Sequence, residues 1–202
     1  MTKRTKQLSY WQGEFGDEYI KRNSDLSFFD KRREFFAFLF EKKVKIASVL
    51  EIGCNIGGNL YILHSLNPKL KIAGIEPNLS ASESAKKLLP KASIYNLSVS
   101  DMYFKDTYDL VFTSGVLIHI SNAEIKKAME KIYTAARRYI LSIEYYSKSR
   151  KTIPYRSLTD ALFKRPYYKE WISLYPRLKL LGKGILKNDQ GFDNCNWWLF
   201  EK

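Results

Sequence analysis

The chain predicts an α/β fold: a doubly wound, mostly parallel, seven-stranded sheet that finishes on an antiparallel C-terminal strand. Three observations predict it. Strand-length apolar runs alternate with helical patterns from Ala47 to Tyr145. The first run ends in a glycine-rich turn that leads straight into a helix, and the second ends in an acid, Glu76. Beyond residue 176 two more β-like runs follow with only a turn between them, which makes a hairpin rather than a crossover.

Residues 10–42 read as two helices broken near Asn23-Ser-Asp25. The second carries Phe28, Phe29, Phe35, Phe36, Phe38, Leu39 and Phe40, an aromatic face suited to packing on a sheet. The first strand is Ala47–Ile52, and a helix runs from Gly57 to Leu66, where Asn67-Pro68 stops it. The second strand is Leu70–Ile75. Pro77-Asn78 opens a helix to Leu89, and the third strand is Ala92–Leu97. Residues 101–108 leave little room for a helix before the fourth strand, Asp109–Thr113. Ser121-Asn122-Ala-Glu124 opens another helix to Ala136, and the fifth strand is Tyr139–Tyr145. Residues 147–175 read as an irregular, basic and aromatic segment with short helices. Arg177–Lys187 and Asn196–Glu201 are the hairpin strands, joined around Asn188-Asp-Gln-Gly191.

With 202 residues the chain suffices for one well-buried domain and is short for two. Its apolar content, 45%, is ordinary for a globular protein. The longest aromatic run, Phe35 to Phe40, is far below membrane-spanning length. The basic start, Met1-Thr-Lys-Arg-Thr-Lys6, leads into no secretory apolar core, so cytoplasmic residence without membrane association is the expectation. Cys54 and Cys195 offer neither metal-ligand spacing nor a disulfide framework. The net charge of +13 implies an anionic partner or a solubility-driven surface. Because Lys and Arg are spread along the chain and no nucleic-acid module signature is present, an anionic small substrate is favoured over nucleic acid.

The glycine turn carries the chemistry. A strand, a glycine turn, a helix and a second strand ending in an acid form the layout of a Rossmann-type nucleotide pocket. A dinucleotide fingerprint places its second glycine under the pyrophosphate. Here the turn reads Gly53-x-Asn55-x-x-Gly58, so a side chain stands at that place, and Asn tolerates left-handed backbone. A nucleoside without phosphates loses little from this exchange, and S-adenosylmethionine is such a ligand. Glu51 at the strand end suits a charged amino group, and Glu76 suits the ribose hydroxyls. A plain strand–turn–helix without ligand is the alternative for this stretch. The strand ends Gly53, Glu76, Ser98, Ser114 and Glu144 fall on one side of such a sheet, where ligands bind.

With these residues in view, the chain resembles a class I S-adenosylmethionine-dependent methyltransferase over residues 45–145. Along nearly its whole length it is similar to one branch, the methyltransferases associated with pseudaminic acid biosynthesis. Three runs carry that resemblance: Trp11-Gln-Gly-Glu-Phe-Gly-Asp-Glu-Tyr-Ile-Lys-Arg-Asn23; Leu50-Glu-Ile-Gly-Cys-Asn-Ile-Gly-Gly-Asn-Leu60; and Ile153-Pro-Tyr-Arg156 with Leu162-Phe-Lys-Arg165 and Trp197-Trp-Leu-Phe-Glu-Lys202. The resemblance implies one methyltransferase domain over residues 1–202. Its parts would be a helical cap (1–43), a cofactor-binding core (45–145), an acceptor-binding insertion (147–175) and a C-terminal hairpin (177–202). It implies that Glu51, Gly53, Asn55 and Gly57 meet the methionine end and that Glu76, followed by Pro77, holds the ribose. Ser98 and Val99 would contact adenine, and Ser114, Gly115 and Val116 would line the cofactor with backbone. Trp11, Phe15 and Tyr19 would cover the cofactor, with Arg22 on a carboxylate.

The implied acceptor is an acidic nine-carbon sugar, free or nucleotide-linked, and the implied products are a methyl ether and S-adenosylhomocysteine. Arg156, Lys164 and Arg165 could meet an acidic group, and Tyr145, Tyr146 and Tyr155 could face a sugar. A hydroxyl acceptor profits from a general base. His119, in Gly115-Val-Leu-Ile-His-Ile120, is the first candidate because its ordinary pKa suits proton transfer near neutrality. Glu144 is the second. His64 reads as surface or packing. The competing readings are an RNA methyltransferase, a methyltransferase for another anionic small molecule, a non-catalytic binding module and a nicotinamide oxidoreductase. Asn55 and the absence of Arg or Lys directly after Glu76 speak against the last.

Overall fold

Among the described residues four short helices, rather than two, precede the first strand: α1 (Lys6–Gln12), α2 (Glu14–Arg22), α3 (Ser27–Asp30) and α4 (Arg33–Lys42). The computed structural model describes residues 5–22, 25, 27–42, 44–155 and 158–202. The break expected at Asn23-Ser24, the start of the basic amino end and Arg156 therefore lie outside the described residues. Local hydrogen bonding explains the extra divisions. The Thr5 hydroxyl caps α1 by accepting the Leu8 N–H, and the Gly13 N–H closes back on Tyr10 to end it. Asp25 accepts the Ser27 N–H at the start of α3. The aromatic face of α4 is narrower than the sequence suggests: Phe35, Phe36 and Leu39 are buried, whereas Phe38 is 41% exposed.

The chain divides into two compact units, Met1–Met102 and Tyr103–Lys202. The boundary falls inside the segment expected to form the cofactor-binding core. In the first unit β1 (Ser48–Ile52), β2 (Lys71–Ile75) and β3 (Ser93–Tyr95) pair in parallel, linked by α5 (Gly58–Leu66) and α6 (Leu79–Leu88). All five residues of β1 are buried, as befits a strand covered on both faces. Register runs from Ser48 opposite Lys71 to Ile52 opposite Ile75, so β1 and β2 end together and deliver the glycine turn and Glu76 side by side.

In the second unit β4 (Tyr108–Ser114) pairs in parallel with β5 (Ala136–Glu144), across α7 (Ile125–Ala135). α7 starts later than expected. Its first turn is closed on the Ser121 carbonyl, and the Asn122 side chain is engaged elsewhere. The segment expected to be irregular is ordered: β6 (Lys151–Tyr155) and β7 (Leu158–Lys164) form an antiparallel ribbon, and α8 (Tyr167–Leu174) follows. Alternate burial of Ala161 and Phe163 makes β7 a strand, and Pro154 is tolerated in a two-stranded ribbon that has only edges. Tyr167 and Trp171, four residues apart, bury one face of α8. The terminal hairpin is β8 (Lys179–Leu186) with β9 (Cys195–Glu201), and β9 also pairs antiparallel with β5. Its turn reverses at Gly191, with φ of 77°. The seven strands β1–β5, β8 and β9 make one mostly parallel sheet in which β9 is the antiparallel strand.

Candidate functional site

In the first unit the turn after β1 is built on left-handed backbone. Gly53, Asn55 and Gly57 have φ of 68°, 49° and 86°. The N–H groups of Gly53 and Cys54 both donate to the Ile75 carbonyl, which ties the turn to the end of β2. Gly58, the first residue of α5, lies under the Phe29 ring: a Cβ there would come within 2.4 Å of it, so no other residue admits α3 at this distance. Cys54 and Cys195 are both buried.

Three acidic or amide side chains converge on this turn. Asn59 Nδ2 donates to Glu51 Oε1 (2.6 Å), and Arg32 Nη1 donates to Asn59 Oδ1 (2.7 Å). Glu76 receives one backbone N–H on each oxygen, from Asn55 and from Asn78, both at 2.9 Å. Burial pushes the Glu51 carboxyl up to about 8, against the pull of the Asn59 hydrogen bond and the Arg32 charge. Burial likewise raises Glu76 to about 7, against the two N–H donors. Two buried oxygens of the turn, Glu51 Oε2 and Asn55 Oδ1, have no hydrogen-bond partner among the described residues.

Asn78 ties the helical cap to this corner. Its side-chain oxygen caps α6 on the Ala81 N–H, and its Nδ2 donates to the Trp11 carbonyl (3.1 Å) and to Asp17 (2.9 Å). Gly16 admits that approach, since a Cβ would meet the Trp11 carbonyl at 2.1 Å. Trp11 packs edge-on against Phe15 and Tyr19, each at 5.2 Å. Arg22 is exposed, its guanidinium 6.0 Å from the Tyr19 ring. Pro77 is half-buried, and Ser98 and Val99 are buried. The Ser98 hydroxyl donates to Asp101. Sequence reading missed Asn59, Asn78, Arg32 and Asp101; only the N-cap position of Asn78 was open to it.

In the second unit the loop after β4 starts at Ser114 and Gly115, the latter with φ of 68° and the Tyr145 ring 3.5 Å from where a Cβ would stand. Val116 leads into a single 3-10 turn, Leu117–His119. His119 Nδ1 lies 3.3 Å from the Ala161 carbonyl, and burial lowers its pKa to about 4. The Tyr155 ring is 6.5 Å from the imidazole, and Lys164 lies 6.0 Å from the Tyr145 ring. The Tyr145 hydroxyl donates to Asp193, while Tyr146 is 41% exposed beside Trp198.

Two expectations need correction here. Arg165 was expected to meet an anion, yet it is wholly buried and its guanidinium donates to the carbonyls of Leu117, Ile120 and Phe163 and to Asn122. Glu144, the second base candidate, is wholly buried and accepts the N–H groups of Val116, Leu117 and Ile118, which makes it an anchor for the loop. Burial raises its pKa to about 7 against those donors.

The left-handed glycine turn after β1 and the buried Glu76 directly after β2 give this unit a Rossmann-like layout. Residues 50–138 match the family described as a methyltransferase domain. No curated protein matches the sequence significantly. Among solved structures, the chain is similar to the Burkholderia thailandensis 1,6-didemethyltoxoflavin-N1-methyltransferase with bound 1,6-didemethyltoxoflavin and S-adenosylhomocysteine. The TM-score is 0.73 at 12% identity, covering 100% of this chain and 92% of that one. Magnesium protoporphyrin IX methyltransferase from Synechocystis PCC 6803, with bound S-adenosylmethionine, has a TM-score of 0.71 at 11% identity, with both chains covered fully. The plantazolicin methyltransferase, in complex with a pentazolic desmethylPZN analogue and S-adenosylhomocysteine, has a TM-score of 0.65 at 14% identity, covering 96% and 94%. At such identities these likenesses establish the fold. These three neighbours hold S-adenosylmethionine or S-adenosylhomocysteine. Among the described residues no helix is long and apolar enough to cross a membrane.

Proposed function

We propose that the chain transfers a methyl group to a hydroxyl of an acidic sugar, a pseudaminic acid-type nonulosonic acid, free or nucleotide-linked, in surface glycan biosynthesis. The observation that carries the cofactor reading is the pair of unpartnered buried oxygens, Glu51 Oε2 and Asn55 Oδ1, in a turn already strained into left-handed backbone. A buried acceptor without a donor is costly, and the ammonium of a methionine moiety supplies such donors. Glu76 keeps an unused lone pair on each oxygen after accepting Asn55 and Asn78, which fits two ribose hydroxyls. Asp101 is the acceptor suited to an adenine amino group. Bound there, S-adenosylmethionine supplies an electrophilic methyl group.

The sugar-acid reading is supported by the branch-level resemblance along the three quoted runs and by the +13 charge. Lys164 and Tyr155 remain the cationic and aromatic candidates for the acceptor; Arg156 lies outside the described residues. His119 is the favoured base. Its low pKa keeps the imidazole neutral at physiological pH and so able to accept a proton, although it makes the group a weak base before an acceptor arrives. Incubation with S-adenosylmethionine and free or nucleotide-linked nonulosonic acids, followed by mass spectrometry, tests the proposal. A gain of one methyl group is expected. Methylation of RNA, or of none of these sugars while other carboxylate acceptors react, would overturn it. His119→Ala is expected to lower kcat by about 10²–10⁴-fold with unchanged cofactor affinity.

A further inference from the structure

The loop that carries His119 is gripped by two buried charges of opposite sign. At its start Glu144 accepts the N–H groups of Val116 (3.1 Å), Leu117 (2.9 Å) and Ile118 (3.3 Å). At its end Arg165 donates through Nη1 to the Leu117 carbonyl (3.0 Å), and through Nη2 to the Ile120 carbonyl and to Asn122 Oδ1 (3.1 Å). Both side chains have 0% exposure. Apolar residues would fill the same space at less desolvation cost, so buried charges at these two places are not explained by packing. Their arrangement follows the polarity of a helical turn, with the carboxylate at the N–H end and the guanidinium at the carbonyl end.

The same strand that leads to Arg165 also sets the chemistry of the imidazole. The Ala161 carbonyl of β7 faces His119 Nδ1 at 3.3 Å. A carbonyl only accepts, so Nδ1 carries the hydrogen and the ring lone pair sits on Nε2. Ala161 and Arg165 are four positions apart, so the turn is fixed and the tautomer is chosen by one short segment.

We infer that Arg165 and Glu144 are positioning residues, which hold the turn so that His119 presents Nε2 as its proton acceptor. This rests on the reading of His119 as the base, but its first test does not. Long-range ¹H–¹⁵N spectra of the wild-type protein should show Nδ1 protonated, and Arg165→Lys should perturb those ring signals, because a lysine cannot span Leu117, Ile120 and Asn122 together. In turnover, Arg165→Lys should lower kcat by about 10–100-fold, with KM changed far less and cofactor affinity retained. Glu144→Gln, which keeps an acceptor oxygen, should retain more activity than Glu144→Leu. If the Arg165 variant does not fold, the exposed partner gives a milder case: Asn122→Ala should lower kcat about two- to fivefold with the same split from KM. Protonation at Nε2 in the wild type, or Arg165→Lys with unaltered ring signals and kcat, would overturn the inference. If His119→Ala retains turnover while the tautomer and its Arg165 dependence hold, the base reading fails and the positioning stands.

Discussion

Glu51 is expected to make cofactor-product binding depend on pH, and to do so through a single proton. Burial pushes its carboxyl up to about 8; the Asn59 hydrogen bond and the Arg32 charge oppose this, and the Glu76 charge adds to it. At pH 7 only about one molecule in ten carries the ionised form, by the usual titration relation. An ammonium group pairs with that form alone, so binding expels a proton from the rest. Affinity therefore tracks the ionised fraction. Between pH 6 and pH 7 it should rise about tenfold, equivalent to about 1.4 kcal/mol, and level off above about pH 8. Glu51→Gln keeps an oxygen for the Asn59 amide but cannot titrate. Calorimetry with S-adenosylhomocysteine at pH 6, 7 and 8, in two buffers of different ionisation enthalpy, reads both affinity and proton release. The wild type should release close to one proton per complex at pH 6, and the variant none, with a weaker and flat affinity. A wild-type affinity unchanged between pH 6 and 7, without proton release, would refute the reasoning.

Glu76→Ala removes the acceptor assigned to the ribose hydroxyls and should weaken S-adenosylhomocysteine by about 10–100-fold in calorimetry. A melting curve run beside it separates this from loss of the Asn55 and Asn78 contacts. Gly74→Ala should destabilise by about 1–3 kcal/mol in denaturant titration, because its Cβ would stand 2.6 Å from Cys54 Sγ and 2.9 Å from Leu60; an unchanged midpoint would show that the turn yields freely. The apo protein should lose stability as pH rises. Glu51, Glu76 and Glu144 titrate at about 8, 7 and 7 when folded but near 4.5 when unfolded, so the folded state binds more protons in between and weakens from about pH 5 to 8. His119, lowered from 6.5 to about 4, acts in the opposite sense, but one group against three does not reverse the slope. A melting temperature that climbs from pH 5.5 to 8 would contradict this, and Glu51→Gln should flatten the decline.

What was legible in the sequence was periodic or local. Strands β1, β2, β4 and β9 fall within two residues of their expected starts, because their burial patterns are continuous or alternate cleanly. The glycine turn was legible because left-handed backbone after a strand favours glycine and asparagine, and Glu76 because it closes an apolar run. The β6–β7 ribbon was not. Pro154 interrupts the alternation of β6, and β7 shows only two buried positions, Ala161 and Phe163. The charge of Arg165 misled for a different reason. A cation in a basic, aromatic stretch suits anion binding, and nothing local announces that carbonyls 45 and 48 residues away will enclose it. The pairing of Asn59 with Glu51 and the reach of Asn78 to Trp11 and Asp17 are likewise contacts that no spacing rule contains.

Three buried glutamates lie at or next to the ends of three of the parallel strands, and they differ in how fully their oxygens are hydrogen-bonded. Glu144 receives three backbone N–H groups and holds a loop. Glu76 receives two, one on each oxygen. Glu51 receives a side-chain amide on one oxygen, while the other has no partner. If all three served only the fold, all three should be saturated as Glu144 is, because a buried carboxyl oxygen without a partner, ionised or protonated, costs about 1–3 kcal/mol. The shortfall grows along the series from Glu144, through Glu76, to Glu51. A ligand bearing two hydroxyls and one ammonium would supply donors in that same order. This makes the unsatisfied oxygen of Glu51 a stronger pointer to a cationic nucleoside than the glycines beside it, which any tight strand-to-helix turn could require.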